Sequence, residues 1–334
     1  MRLVSSSTLS WLVGGLAVLP NAFSAPVLPK RASNIQLGLS ADFPDPSIVG
    51  TSDGKWYAFG TNGTGRRIQV AESHDFNSWT LLDLDALPTF APWETGNDNY
   101  APDVIQRKDG KFVMYYSGEA KSDLRHHCVG TAISDKPAGP YIPSITPLAC
   151  PLDQGGAIDP AGFIDTDSTR YVVYKVDGNS IGHGGTSLVE CNNSIEPLVA
   201  TPIMLQKVLE DGITPIGNPV QILDRNTADG DGPLVEAPNL IFHDGIYFLF
   251  YSTHCYTDTA YDVRYATSSS VAGPYTKNNL ELVKTGDFGL NSPGGATVCG
   301  CGDRMVLHGW CNNHSERCMY HAQLTLSGKR AMLV

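Results

Sequence analysis

The feature that most constrains this chain is a phrase it repeats: a proline beside an acid or small residue, an apolar run, a turn, then an aromatic strand. The first copy is Asp45-Pro46-Ser47-Ile48-Val49, with Asp53-Gly54 and then Trp56-Tyr57-Ala58-Phe59. Others are Pro102-Asp103-Val104-Ile105 before Phe112-Val113-Met114-Tyr115-Tyr116, and Asp159-Pro160-Ala161-Gly162-Phe163-Ile164 before Tyr171-Val172-Val173-Tyr174. The fourth is Glu236-Ala237-Pro238-Asn239-Leu240-Ile241 before Tyr247-Phe248-Leu249-Phe250-Tyr251. A fifth runs from Pro293-Gly294-Gly295 to Met305-Val306-Leu307-His308, with no acid at its head. The anchors Asp45, Asp103, Asp159, Glu236 and Pro293 stand about 58, 56, 77 and 57 residues apart, the spacing of a radial β-array. Asp-Gly pairs supply hairpin turns and the aromatic runs supply strands, while long amphipathic helices are absent from the pattern. Two Ala-Gly-Pro-Tyr segments, Ala138 to Tyr141 and Ala272 to Tyr275, mark the same duplication. The third unit is longer, and its surplus carries a further hairpin signal at Leu205 to Leu209, Asp211-Gly212 and Val220 to Leu223. The reading is an all-β, five-bladed β-propeller.

Repeats that must stack to bury their apolar faces form one ring, so residues 32–334 are expected to be a single domain. Residues 1–31 read as a secretory signal with a short propeptide. Arg2 precedes the apolar run Trp11 to Leu19, small residues Ala22, Ser24 and Ala25 follow, and Lys30-Arg31 resembles a dibasic processing site. The run is short for a membrane span, so a secreted monomer with no membrane association is expected. The formal charge is −11, and losing Arg2, Lys30 and Arg31 takes it to about −14, a balance that repels phosphate backbones and excludes nucleic acid. In an exported chain the 8 Cys point to disulfides, with connectivity open. Zinc on Cys299, Cys301, Cys311 and Cys318 is the rival. Asn62-Gly63-Thr64, Asn192-Asn193-Ser194 and Asn313-His314-Ser315 match N-glycosylation acceptors.

In a propeller the innermost strands start at the axis, so the blade heads face one another. These heads offer Asp45, Asp103, Asp159 and Glu236. Carboxylates brought close have their proton affinities pushed apart, which lets one donate a proton while another stays a base. Any single Asp-Pro reads equally as a turn opener. Acids at several heads weigh against that reading, and Glu236 most of all, because Glu is a poor turn capper.

Phe43-Pro44-Asp45-Pro46-Ser47-Ile48, Tyr100-Ala101-Pro102-Asp103-Val104, Ala157-Ile158-Asp159-Pro160 and Val235-Glu236-Ala237-Pro238 together resemble glycoside hydrolase family 43, from about Ser40 to the last repeat. The resemblance implies inverting hydrolysis of α-L-arabinofuranosides or β-D-xylosides with no required cofactor. It implies Asp45 as the general base that activates water and Glu236 as the general acid. Asp159 is then the third carboxylate, orienting Glu236 and raising its pKa. Asp103 is expected to be structural or to contact substrate. His308 falls where relatives place a channel histidine near an ion, commonly calcium, although a strand histidine is also an ordinary core residue. Phe43, Trp93 and Tyr100 are the candidate sugar-stacking aromatics. The expected substrate is plant cell-wall polysaccharide, with release of α-L-arabinofuranosyl residues from arabinan or arabinoxylan. A β-D-xylosidase on the same scaffold and a non-catalytic carbohydrate-binding propeller are the alternatives.

Overall fold

The structure is a computed structural model that describes Met1 and residues 35–184 and 191–334. The leader expected over residues 1–31 lies, apart from Met1, outside the described residues. No helix among the described residues is long and apolar enough to cross a membrane.

Five antiparallel sheets follow the repeats in order. After β1 (Gln36–Asp42), the first blade is β2 (Ser47–Gly50), β3 (Trp56–Gly60), β4 (Gln69–Ser73) and β5 (Trp79–Leu81). The second is β6 (Glu94–Gln106), β7 (Phe112–Ala120), β8 (His127–Ser134) and β9 (Ile142–Pro143). The third is β10 (Ala157–Ile164), β11 (Arg170–Val176), β12 (Ile203–Val208) and β13 (Val220–Leu223). In the fourth, β14 (Val235–His243), β15 (Ile246–Thr253) and β16 (Asp262–Ser268) are flanked by β17 (Thr276–Lys277) and β18 (Val283–Lys284). The fifth is β19 (Gly294–Val298), β20 (Arg304–Cys311) and β21 (Glu316–Ser327), which pairs with β22 (Arg330–Leu333) and with β1. Pairing of β1 with β21 makes the start of the ring the outer strand of its last blade, so the ring closes by hydrogen bonds.

Burial between blades supplies the core. Ile241, Phe248 and Phe250 of the fourth blade pack on Val298, Met305 and Leu307 of the fifth. Leu39 and Met319 of the fifth blade pack on Ile48 and Ala58 of the first. The hairpin signal at Leu205 to Leu223 turns out to be the ordinary outer pair β12–β13. The surplus of the third unit is instead the connection over residues 177–202, between β11 and β12. The two Ala-Gly-Pro-Tyr segments adopt one structure: each Gly-Pro bond is cis, and Tyr141 and Tyr275 each donate to the carbonyl four residues back.

The register at the blade heads differs from the one the repeat suggests. A left-handed residue recurs once per blade, at Asp45 (φ 52°), Ala101 (φ 40°), Asp159 (φ 55°), Ala237 (φ 50°) and Gly295 (φ 58°). Asp45 and Asp159 are therefore equivalent. Glu236 stands one residue before the kink, and Asp103 two residues after it. A left-handed conformation is costly for a residue with a Cβ, and Asp tolerates it better than most. At the fifth head both glycines are required. A Cβ on Gly294 would lie 1.8 Å from the Tyr261 ring, and one on Gly295 would lie 2.8 Å from His308. No acid can occupy that head for lack of room.

Candidate active site

At one mouth of the axis the heads open into a cavity of about 450 Å³ lined by Asp45, Asp159 and Glu236 together with Thr61, Lys175 and Arg317. The three acids proposed from the sequence are thus in one cavity.

Each is held differently. The backbone N–H of Asp45 donates to His308 Nδ1 (3.0 Å), its Oδ2 accepts from Thr61 Oγ1 (2.6 Å), and its Oδ1 lies 3.3 Å from Arg317 Nη1. Burial alone would raise its pKa, but the Arg317 guanidinium and the Thr61 hydroxyl outweigh that and hold the carboxyl below its ordinary value. Asp159 occupies the equivalent kink with no cation at hydrogen-bond distance. Its N–H donates to Ser117 Oγ (3.0 Å), and its Oδ2 accepts from the N–H of Ala237 (2.9 Å). Burial and then the charge of Glu236 push its pKa up to about 8. Glu236 Oε2 accepts from Lys175 Nζ at 3.0 Å.

The outer walls come from β6, β8 and the loops that hold Asn62 and Tyr256. Tyr100 lines the cavity as expected, its ring stacked on His127 at 4.2 Å and its hydroxyl donating to Asp98 Oδ2 (2.5 Å). Asn62 Nδ2 donates to the other oxygen of Asp98 (3.2 Å). Opposite, the Arg317 guanidinium lies 4.5 Å from the centre of the Tyr256 ring. A disulfide between Cys191 and Cys255 ties the long connection of the third blade to the loop after β15. The other bridges are Cys128–Cys150, Cys299–Cys301 and Cys311–Cys318, so the four cysteines of the rival zinc reading are paired with one another.

Several expected contacts are corrected. Phe43 is 1% exposed and packs in the core between the first and fifth blades, its ring against Gly60, so it cannot stack on a sugar in the cavity. Trp93 is outside the cavity lining. It stacks on Tyr116 and covers Gly118 and Gly130, where any Cβ would come within 2.8 Å of the indole. Asp103, two residues past the kink, faces the far side of the axis, where a second cavity of about 350 Å³ opens. Its Oδ2 accepts from the N–H of Gly162 (2.8 Å), latching the second blade to the third, and burial raises its pKa to about 7.

His308 is fully buried, and burial drops its pKa to about 3, so the ring is neutral. Because Nδ1 accepts the N–H of Asp45, the single ring proton is on Nε2, which has no partner among the described residues. A protonated nitrogen has no lone pair for a cation, and calcium prefers six to eight oxygen ligands. With the ring so bonded, the residues around His308 do not fit a calcium ion.

Of the residues the sequence did not single out, Lys175 left a signal. It stands where the aligned strands Tyr115-Tyr116-Ser117 and Phe250-Tyr251-Ser252 carry small hydroxyls, and a lysine in a buried strand is rare. Arg317 left none.

A five-bladed ring that gathers carboxylates in a cleft at one mouth of its axis is the make-up of a polysaccharide-degrading glycoside hydrolase. The profile of glycosyl hydrolases family 43 matches residues 39–327, and the chain belongs to that family. It is 25% identical over 287 residues to the extracellular endo-α-(1→5)-L-arabinanase 1 of Bacillus subtilis, covering 80% of each chain. It is 30% identical over 205 residues to a xylosidase/arabinosidase of Bacteroides ovatus, covering 57% of this chain and 58% of that one. Among solved structures, a thermostable family-43 glycoside hydrolase superimposes with a TM-score of 0.74 at 26% identity, covering 89% of this chain and 94% of the other.

Proposed function

We propose that the chain is a secreted, monomeric, inverting glycoside hydrolase that releases α-L-arabinofuranosyl residues from arabinan or arabinoxylan. In this reading residues 32–334 are the catalytic domain and residues 1–31 a leader removed on export. The observation that carries it is the gathering of Asp45, Asp159 and Glu236 in one cavity with unlike neighbours, Arg317 and Thr61 at Asp45 and Lys175 at Glu236.

Asp45, kept charged by Arg317 and Thr61, is a carboxylate able to take a proton from water as the water attacks the anomeric carbon. Glu236 gives its proton to the leaving oxygen. Asp159 is the third carboxyl: the charge of Glu236 contributes to its raised pKa, and its Oδ2 holds the N–H of Ala237, the residue after Glu236. The stacked Tyr100 and His127 and the Tyr256 ring line the same cavity as the acids and give it aromatic surface suited to sugar rings. No cofactor enters these steps. Extracellular export is supported by the name of the Bacillus subtilis relative and by four disulfides. The Bacteroides ovatus relative favours β-D-xylosides as the second reading.

The test is parallel incubation with p-nitrophenyl α-L-arabinofuranoside, p-nitrophenyl β-D-xyloside and arabino-oligosaccharides, following the first-formed sugar by proton NMR. Arabinose or shorter arabino-oligosaccharides of inverted anomeric configuration are expected. Preference for the xyloside would replace the substrate, and retained configuration would remove Asp45 as a base acting on water.

A further inference from the structure

The five blades repeat one interblade hydrogen bond, and it is broken once, at the catalytic acid. The residue facing the head, in or directly after the second strand of each blade, is Thr61, Ser117, Lys175, Ser252 or His308. Thr61 Oγ1 accepts the N–H of Ala101, and Ser117 Oγ accepts that of Asp159, both at 3.0 Å. Ser252 Oγ accepts the N–H of Gly295 and His308 Nδ1 that of Asp45, again at 3.0 Å. Each of these four side chains thereby clamps the kinked residue of the next blade. A lysine ammonium has no lone pair, so Lys175 cannot do the same for Ala237. Asp159 Oδ2 accepts that N–H instead.

Lys175 is released from the ring and used elsewhere. Its side chain is fully buried, with Nζ 3.0 Å from Glu236 Oε2 and 3.0 Å from Asp177 Oδ1. Burial alone would favour the neutral amine, but the charges of Asp177, Glu236 and Asp159 outweigh it and keep the ammonium charged. Leaving an ammonium in a dry site is costly without such partners. A serine would satisfy the fold here, as it does in two other blades, so the fold alone gives no reason for lysine.

We propose that Lys175 is a positioning residue for Glu236, anchoring its carboxyl at the cavity, while Asp177 fixes the ammonium from behind. This rests on Glu236 being the proton donor. The groups around the ammonium are Asp177 at the end of β11, Asp159 on β10 and Glu236 on β14, with the fully buried Tyr261 and the charged Asp45 beyond them. Without the ammonium 3.0 Å away, the ionised form of Glu236 loses its cation and the carboxyl binds its proton more tightly. Without the Asp177 carboxylate, the ammonium acts on Glu236 unopposed, and the proton is held less tightly.

The experiment compares wild type, K175S and D177N on an unactivated arabinoside or arabino-oligosaccharide, recording melting temperature and the pH dependence of kcat. K175S restores a ring acceptor for Ala237 and is expected to fold. Its alkaline limb should move up by about one pH unit and its kcat fall by at least about tenfold. D177N should move the same limb down. Folded K175S with the wild-type limb and kcat would overturn the proposal, as would shifts of both variants in one direction. If K175S fails to fold, D177N decides: an unmoved or raised limb overturns the proposal. Inactivity of the wild type on every glycoside would instead overturn the functional reading on which it rests.

Discussion

Asp45 and Asp159 occupy the same place in two blades and are held in opposite states. Both sit at the left-handed kink before a proline, with φ of 52° and 55°, and both give their N–H to the preceding blade. Around Asp45 are a guanidinium, a hydroxyl and a neutral imidazole. Around Asp159 are a carboxylate and low-dielectric packing. The repeat supplies position, and the non-equivalent neighbours supply chemistry. A duplicated scaffold can thus furnish one carboxyl of lowered and one of raised proton affinity without a change of backbone.

The largest expected effect comes from removing the reacting carboxyls. D45N and E236Q should each lower kcat on arabino-oligosaccharide by at least about a thousandfold, with melting temperatures near wild type. Asn keeps the tolerance of Asp for the left-handed kink, so a loss of fold is not expected. Near-normal turnover by either variant would break the assignment.

Arg317 should matter next, because its charge is what sets Asp45 apart. R317M removes the cation that opposes the burial of Asp45, so the base gains proton affinity. The acidic limb of the pH–rate profile should move up by about one unit, with activity lost at low pH and largely retained at high pH. An unmoved acidic limb would show that the Thr61 hydroxyl suffices.

Asp159 is probed from the other side. D159N removes the carboxyl that would become a like charge beside Glu236 in alkali, so the donor can lose its proton without that opposition, and the alkaline limb should move down. The loss should be greater on unactivated arabinosides than on p-nitrophenyl glycosides, whose leaving group needs little protonation. Equal losses with an unchanged profile would reduce Asp159 to a clamp for Ala237.

The smallest effect is expected at Asp103, which shares the chemistry of a buried acid but not the cavity. Its folded pKa of about 7 lies above the value in an unfolded chain. The neutral form is therefore favoured by folding, with that contribution intact in acid and lost as pH rises through about 7. D103N keeps an oxygen for the Gly162 N–H and avoids the buried charge. It should melt increasingly above the wild type as pH rises from about 4 to about 7, keep that margin at higher pH, and leave kcat unchanged. A large loss of activity would return Asp103 to the site.

Much of this was legible in sequence, for physical reasons that also explain the misses. Proline, Asp-Gly turns and aromatic strands are local signals, and they placed the blades and gathered Asp45, Asp159 and Glu236. Register was not local: a phrase matched by eye set Asp103 beside Asp45, whereas the kink that aligns the blades is a dihedral angle. Phe43 and Trp93 were aromatic and near the heads, but adjacent glycines drew them into the core. Arg317 reaches Asp45 from a position 272 residues away in the chain, a contact no short pattern announces. The closing strand β1 was missed because its partner lies at the other end of the ring.

The central claim is that these two equivalent acids carry opposite charge states in one cavity. The direct measurement is a carbon-13 NMR titration of aspartate side-chain carboxyls, with D45N and D159N used to assign the two resonances. The resonance absent from D159N should titrate near pH 8, and the one absent from D45N should stay ionised down to a pH below the usual aspartate range. Two resonances titrating together, or in the reverse order, would contradict the account.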